Sequence, residues 1–429
     1  MNVLLIPIGS AGDVHPFVGL GLALQARGHA VTLATNAHFQ PLVERAGLAF
    51  EPLGTLEEFR DVLENPDLWH PMKGFKLVMQ GVMRMTRPLF ELVAEHAADG
   101  ETVVVGASLA FGARVAQEAL GFPLVTVHLQ PGVFRSVYEG PVLGPFRFDR
   151  PGPRVVKRIG YRLIDYLIDG ALAGDLNAFR AELGLPPVRR MMQDWWNSPD
   201  LVLGLFPEWF APAQPDWPSQ TRLTQFPLYD ERGATALPEG MAEFLDRGTP
   251  PIVFTPGSAM WHGEDFFRAA VEACARLGRR GLLLTRHPQQ IPAVLPDSVR
   301  HFDYAPFSEL LPRSAALVHH GGIGTSAQGL AAGIPQLVMP MAHDQHDNAA
   351  RLARHGIARS LAPKRFKGPR VAQALGELLD SPEVAHRCRE IAARFTGIDP
   401  SEETCRLIEA LAPRRVAKGQ EPTVETSQR

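Results

Sequence analysis

Three short stretches concentrate side chains that can do chemistry. In HHGGIGT, His319 and His320 precede Gly321, Gly322 and Gly324, and Thr325 closes the run. Glycines let backbone N–H groups approach an anion, and a helix opening behind them adds partial positive charge, so the turn suits a diphosphate. In GSAGDVHP, Asp13 and His15 stand between an apolar run and an amphipathic one. A carboxylate there can take a proton from a hydroxyl once a dry cleft raises its pKa. In AHDQHDNA, Asp344 and Gln345 offer acceptors and donors to hydroxyl groups, with Asn348 one turn further on. His343, Asp344, His346 and Asp347 also invite a metal reading, but consecutive ligands on one short loop rarely converge, so no metal is expected.

These residues need elements to hold them. The first fifty positions alternate VLLIPI, an amphipathic segment from Pro16 to Arg27, AVTLAT, a second helical stretch to Ala46, and LAFEPL, which predicts βαβαβ. Pro16 suits a first helical turn and Gly28 the cap after the last. A second series runs through PIVFTPGS, GLLLT, VRHFDY, AALVHH and PQLVMP. The fold expected is α/β, with two doubly wound parallel sheets. Ligands in such sheets bind outside the carboxyl ends of the strands, which is where all three stretches fall. We expect a first domain over 1–226, a linker with the first helix of the second half over 227–250, a second domain over 251–412 whose last helix returns to the first, and a disordered tail over 413–429.

A chain of 429 residues, 45% of them hydrophobic, has core enough for two domains. A net charge of −3 gives no general reason to bind nucleic acid. The three cysteines, Cys274, Cys388 and Cys405, form no metal or redox motif and read as buried thiols. The opening apolar run is short and lacks a basic leader, and no apolar stretch is long enough to span a membrane, so a cytoplasmic protein is expected, with room for peripheral contact at the inner membrane face or with a membrane partner.

HHGGIGT, followed by GIPQLVMP and HDQHDNA, resembles the nucleotide-sugar signature of the UDP-glycosyltransferase superfamily, including its antibiotic and sterol branches, and the likeness spans nearly the whole chain. The resemblance implies a GT-B fold, two Rossmann-like domains facing across a cleft, and transfer of a sugar from a nucleoside diphosphate to an acceptor hydroxyl with inversion and no metal cofactor. It implies diphosphate contacts from His320, Gly322, Gly324 and Thr325, with His319 as a second histidine, and sugar contacts from Asp344 and Gln345. Ser258 in FTPGS would touch the phosphates; Tyr304 and Ala305 in FDYAPF would hold the base. Gln328 stands where many relatives carry a ribose-gripping glutamate, which leaves a dTDP donor open. The GDVxP pattern puts the general base on Asp13, with His15 on the acceptor side. The first domain would bind a hydrophobic hydroxylated acceptor, with Trp195 and Trp209 in its pocket. The runs NSPDLVLGLFPEWFAPAQPDWP, DLWHP and YAPFSELLP are similar to rhamnosyltransferases of rhamnolipid synthesis, implying dTDP-L-rhamnose and a 3-hydroxyacyl lipid, although HHGGIG stands where HPGGIG is expected. The alternatives are a UDP-glucose enzyme acting on a sterol or macrolide, a nucleotide-sugar epimerase, and a non-catalytic auxiliary partner of a transferase.

Overall fold

A computed structural model describes residues 1–98, 100–144, 146–233 and 237–411; the tail expected over 413–429 lies outside the described residues. Two parallel sheets form the frame. The first joins β1 (Asn2–Ile6), β2 (Ala30–Thr35), β3 (Ala49–Pro52), β4 (Thr102–Ala107), β5 (Leu124–His128), β8 (Leu201–Gly204) and β9 (Thr221–Leu223) in the order β3-β2-β1-β4-β5-β8-β9. The second joins β10 (Ile252–Thr255), β11 (Gly281–Leu284), β12 (Val299–Phe302), β13 (Ala316–His319), β14 (Gln336–Val338) and β15 (Ala358–Ser360) in the order β12-β11-β10-β13-β14-β15. A two-stranded ribbon, β6 (Val142–Leu143) and β7 (Phe146–Arg147), lies outside both. Helices cover both faces of each sheet, which is why central strands such as IVFT and ALVH are wholly buried and apolar up to their last residue, Thr255 and His319.

The strand order reverses beside β1 in the first sheet and beside β10 in the second, and such switch points open a crevice at the carboxyl ends of the strands. Asp13 follows β1, Ser258 follows β10, and His320 follows β13, the neighbour of β10. Both crevices are thus furnished from the stretches singled out above.

One element boundary differs from the expectation. The first helix spans Ala11–Ala26, so Pro16 lies inside it rather than in its first turn. Ser10 caps the helix early and donates its backbone N–H to Asp13 Oδ2 at 2.8 Å, the reciprocal half of a capping box. That local bond outweighs the preference of Pro16 for a first turn.

A single apolar cluster runs from Val18 and Leu24 of the first domain to Ile323, Ala327 and Leu352 of the second, and takes in Cys405 and Ile408 of the last helix, Glu402–Glu409. Arg27 donates to both Glu409 oxygens at 2.7 and 2.8 Å, and Thr404 donates to Thr224 at 3.0 Å, so this helix packs on the first domain. The connecting segment is held at both ends. Asp230 accepts the Ser308 N–H at 2.7 Å from the second domain, while Glu231, at φ 61°, accepts from Arg45 of the first at 3.0 Å. All three cysteines are buried free thiols. Among the described residues, no helix is long and apolar enough to cross a membrane.

Candidate functional site

The glycine turn is built around His320. Gly322 caps the helix Ile323–Ala332 without any side chain bonding to its first turn, and the first backbone N–H to find an acceptor within the helix is that of Ser326, on Gly322 O at 3.0 Å. The N–H groups of Gly324 and Thr325 therefore face outward at the positive end of the helix. The His320 imidazole fills the space beside two glycines: a Cβ on Gly257, at φ +99°, would meet it at 2.7 Å, and one on Gly322 at 2.5 Å. Its Nδ1 is buried without a partner among the described residues, and burial pulls its pKa down to about 4, so the ring is neutral at pH 7. Ser258 is exposed at the same rim; the helix after it is capped at Gly263, so Ser258 is not its cap.

His319 departs from expectation. It points into the fold, fully buried, with Nε2 2.9 Å from Gln336 Oε1 and Nδ1 accepting the Gly321 N–H at 3.1 Å. Both ring nitrogens are occupied, so His319 shapes the turn instead of touching the ligand.

On the neighbouring loop Gln345 Oε1 accepts from the N–H groups of Met341 and Ala342 at 2.8 and 3.2 Å, which directs its amino group outward. Asn348 donates to Gly321 O at 2.9 Å and to Asp344 Oδ2 at 2.6 Å, tying this loop to the turn. The other polar residues of HDQHD diverge. Asp347 accepts from Arg351 and from the Val142 N–H at 2.7 and 2.9 Å, and His343, at φ 55°, sets its ring edge-on to Trp69. Among the described residues no group of three such side chains converges as a metal site.

Across the cleft stands Asp13. Its Oδ2 accepts the Ser10 N–H and, at 3.2 Å, the Ser10 hydroxyl, leaving Oδ1 without a protein partner among the described residues. Gly9, at φ +138°, passes so close that a Cβ there would lie 2.2 Å from Oδ2. The side chain is half-buried. Burial raises its pKa to about 6, opposed by the two Ser10 bonds. Asp344 is raised further, to about 7, first by burial and then by the negative charge of Asp13. Asp13 ionises first and its charge holds back Asp344, which places the two carboxylates in one electrostatic neighbourhood.

Tyr304 donates its hydroxyl to Asp230 O at 2.7 Å, and Ala305 follows it with its methyl buried. Gln328 gives one amide hydrogen to Leu228 O at 2.9 Å, which leaves the second N–H and Oε1 of its carboxamide for a ligand. Sequence reasoning missed Arg286. It follows β11, lies 5.0 Å over the Tyr304 ring, and is close enough to depress the pKa of both His15 and His38 from the other domain. The signal was present in LLLTRH, a buried strand ending in a cation at its ligand-facing mouth.

The acceptor-side residues are corrected. Trp195 is core: its Nε1–H donates to Glu118 at 2.9 Å and its ring meets Phe111 edge-on among Met79, Leu176 and Met191. Trp209 wedges between the domains, with His355 and Phe395 against its edges and Arg394 over its face. His15 turns to the connecting segment, with Nε2 3.7 Å from Glu231 and its ring edge-on to Tyr229.

Comparison with known proteins agrees with this geometry. Residues 3–139 match the glycosyltransferase family 28 N-terminal domain, and residues 282–410 the C-terminal domain of erythromycin biosynthesis protein CIII-like proteins. The O-mycaminosyltylonolide 6-deoxyallosyltransferase of Streptomyces fradiae is 31% identical, over 97% of this chain and 98% of that one. Among solved structures, the glycotransferase of kitacinnamycin superposes with a TM-score of 0.72 at 21% identity, covering 96% of this chain and 99% of that one. The spinosyn rhamnosyltransferase SpnG, complexed with thymidine diphosphate, gives 0.68 at 20%, covering 96% and 100%. With two facing parallel sheets, a glycine turn at one switch point and a half-buried carboxylate at the other, the chain belongs to the UDP-glycosyltransferase superfamily and is a glycosyltransferase of the GT-B fold.

Proposed function

We propose that the chain is an inverting, metal-independent O-glycosyltransferase that moves a 6-deoxyhexose from a dTDP donor to a hydroxyl of an apolar acceptor. The observation that carries this reading is the placement of Asp13, a carboxylate with one free oxygen and a pKa near 6, opposite the open helix N-terminus beside His320. At pH 7 Asp13 is mostly ionised and is a far better base than a solvated aspartate. The acceptor O–H gives its proton to Asp13 as the oxygen bonds to the anomeric carbon; the bond from that carbon to the phosphate oxygen breaks on the opposite face, and the diphosphate leaves with the electron pair. The N–H groups of Gly324 and Thr325, with the neutral His320 as a further donor, receive the charge that develops, and this is the largest expected contribution to rate. Asp344, held near neutrality, and the Gln345 amino group bond the sugar hydroxyls. With the HDQHD side chains turned to separate partners, charge stabilisation falls to the turn.

Three features favour dTDP-6-deoxyhexose. Gln328 stands where a ribose-gripping glutamate is common, a neutral carboxamide with one of its two N–H donors already bonded to Leu228; the Streptomyces fradiae relative is a 6-deoxyallosyltransferase; and the spinosyn enzyme is a rhamnosyltransferase complexed with thymidine diphosphate. The narrower reading is L-rhamnose transfer to a 3-hydroxyacyl lipid. The test is a thermal-shift panel of dTDP, UDP and GDP without added metal. Ligand at a hundred times Kd contributes about 2.7 kcal/mol, a readable shift. A response to dTDP above UDP is expected; a UDP preference would replace the donor assignment, and no response to any nucleotide would refute the site.

A further inference from the structure

The long helix Arg154–Glu182 carries an apolar stripe on the wrong side for a core. Val155, Val156, Ile159, Leu163, Tyr166 and Leu167 are all exposed, Ile159 at 61% and Tyr166 at 76%. At 3.6 residues per turn these six fall within an arc of about 120°, a width usual for a face packed on a core, over roughly 18 Å of helix. The inner face is filled separately by Tyr161, Leu172, Leu176 and Phe179, so the outer stripe is surplus to folding. Of the twelve large hydrophobic residues most exposed among those described, eight lie between Tyr138 and Leu167, the other two being Tyr138 and Phe146. A contiguous patch of this kind marks an interaction surface.

The charge beside it identifies the partner. Arg154, Arg158 and Arg162 are exposed along one edge of the stripe, and no carboxylate is exposed between residues 154 and 168; Asp165 is buried against Arg135. Beyond the far end, Arg189 closes a depression lined by Tyr166 and Leu167, while the Asp169 carboxylate there is taken by the backbone N–H groups of Arg190 and Met191. A second copy of this chain docking face to face would bring arginines against arginines with nothing to neutralise them. An apolar helix face edged by arginines, with a tyrosine among the aliphatic residues, matches an anionic bilayer surface: the stripe enters the acyl boundary and the guanidinium groups stay among phosphates.

We propose that this face docks the protein on anionic membrane surfaces, lying in the interface without spanning it. The helix that carries the patch is also linked to the donor-side domain. Phe148, beyond the β6–β7 ribbon, stacks on Tyr161 at 4.3 Å, and the ribbon's Val142 donates to Asp347 on the donor-side helix. The surface itself does not rest on which sugar is transferred.

The test is flotation of the full chain with vesicles of phosphatidylcholine alone and with 30% phosphatidylglycerol. Each arginine near an anionic surface is worth about fivefold, so binding to the anionic vesicles should exceed binding to neutral ones by roughly a hundredfold and fall with salt. Changing Arg154, Arg158 and Arg162 together to Gln should remove that preference, and I159E/L163E should abolish binding, with unchanged circular dichroism melts since all five side chains are exposed. Failure of the wild type to float with either vesicle would overturn the proposal. So would a concentration-dependent dimer, in sedimentation equilibrium, that I159E/L163E dissociates, because it would give the face to a second copy.

Discussion

Replacing Gly9 by alanine should disable the enzyme without touching any group that bonds a substrate. The Cβ added at Gly9 would lie 2.2 Å from Asp13 Oδ2 and 2.5 Å from its Cγ, whereas non-bonded carbon contacts begin near 3.4 Å. Relief requires the carboxylate to move by about 1 Å, and it cannot do so and keep both Ser10 bonds, at 2.8 and 3.2 Å to that same oxygen. The φ of +138° adds about 1–3 kcal/mol of backbone strain for a residue with a side chain. A displacement of that size at a proton-transfer group costs about 10²-fold in rate. Gly9 belongs to the first domain, so the affinity for dTDP, carried by the second, should stay within about twofold of wild type. The assay pairs steady-state transfer kinetics with calorimetric titration of dTDP and a thermal melt. A variant that melts within a few degrees of wild type and keeps kcat within about threefold would show that the position of Asp13 does not govern the reaction.

Further outcomes follow from the same geometry. With Asp13 raised to about 6, kcat/KM should fall as pH drops through about 6, when the base takes up its proton; the profile belongs to the coupled pair Asp13 and Asp344. Both carboxylates titrate higher in the fold than in the unfolded chain, so between about pH 4 and 7 the native state binds more protons and stability falls as pH rises. Asp344→Asn should accordingly raise the melting temperature at pH 7.5 while abolishing transfer, read by calorimetry beside an activity assay. His320→Ala should weaken dTDP at least tenfold with little change in melting temperature. His319→Ala should instead destabilise by about 1–3 kcal/mol in denaturant titration, because Gln336 loses its buried partner. Trp209→Ala should cost about 3 kcal/mol of stability and leave the acceptor KM within twofold.

The places of the glycine turn and of Asp13, each just after a buried strand, were legible in the sequence from local chain geometry, while their roles came from the resemblance to the glycosyltransferase family. A glycine run that ends a buried strand and opens a helix, and a carboxylate just after the first strand of a parallel sheet, both lie at the carboxyl ends where such sheets bind ligands. The two strand series were legible because their central strands are mostly apolar runs. Most of what resisted reading depends on contacts distant in sequence, the start of the first helix being the local exception. Nothing in HHGG says which histidine turns inward; that is decided by Gln336, which buries its carboxamide against His319. The tryptophans look alike as letters, yet Glu118 claims Trp195 for the core, and Phe395 with Arg394 claims Trp209 for the domain boundary. Pro16 misled the helix start because Ser10 and Asp13 cap it a turn and a half earlier.

The central claim is that Asp13 removes the acceptor proton while the turn at His320 holds the diphosphate. Asp13→Asn tests it most directly, because the amide keeps the size of the side chain and removes only its basicity. With the transfer reaction followed at pH 7.5 and dTDP binding titrated on the same preparation, the account predicts a loss of kcat of at least about 10²-fold with an unchanged Kd for dTDP. A variant that keeps kcat within about tenfold of wild type would contradict it.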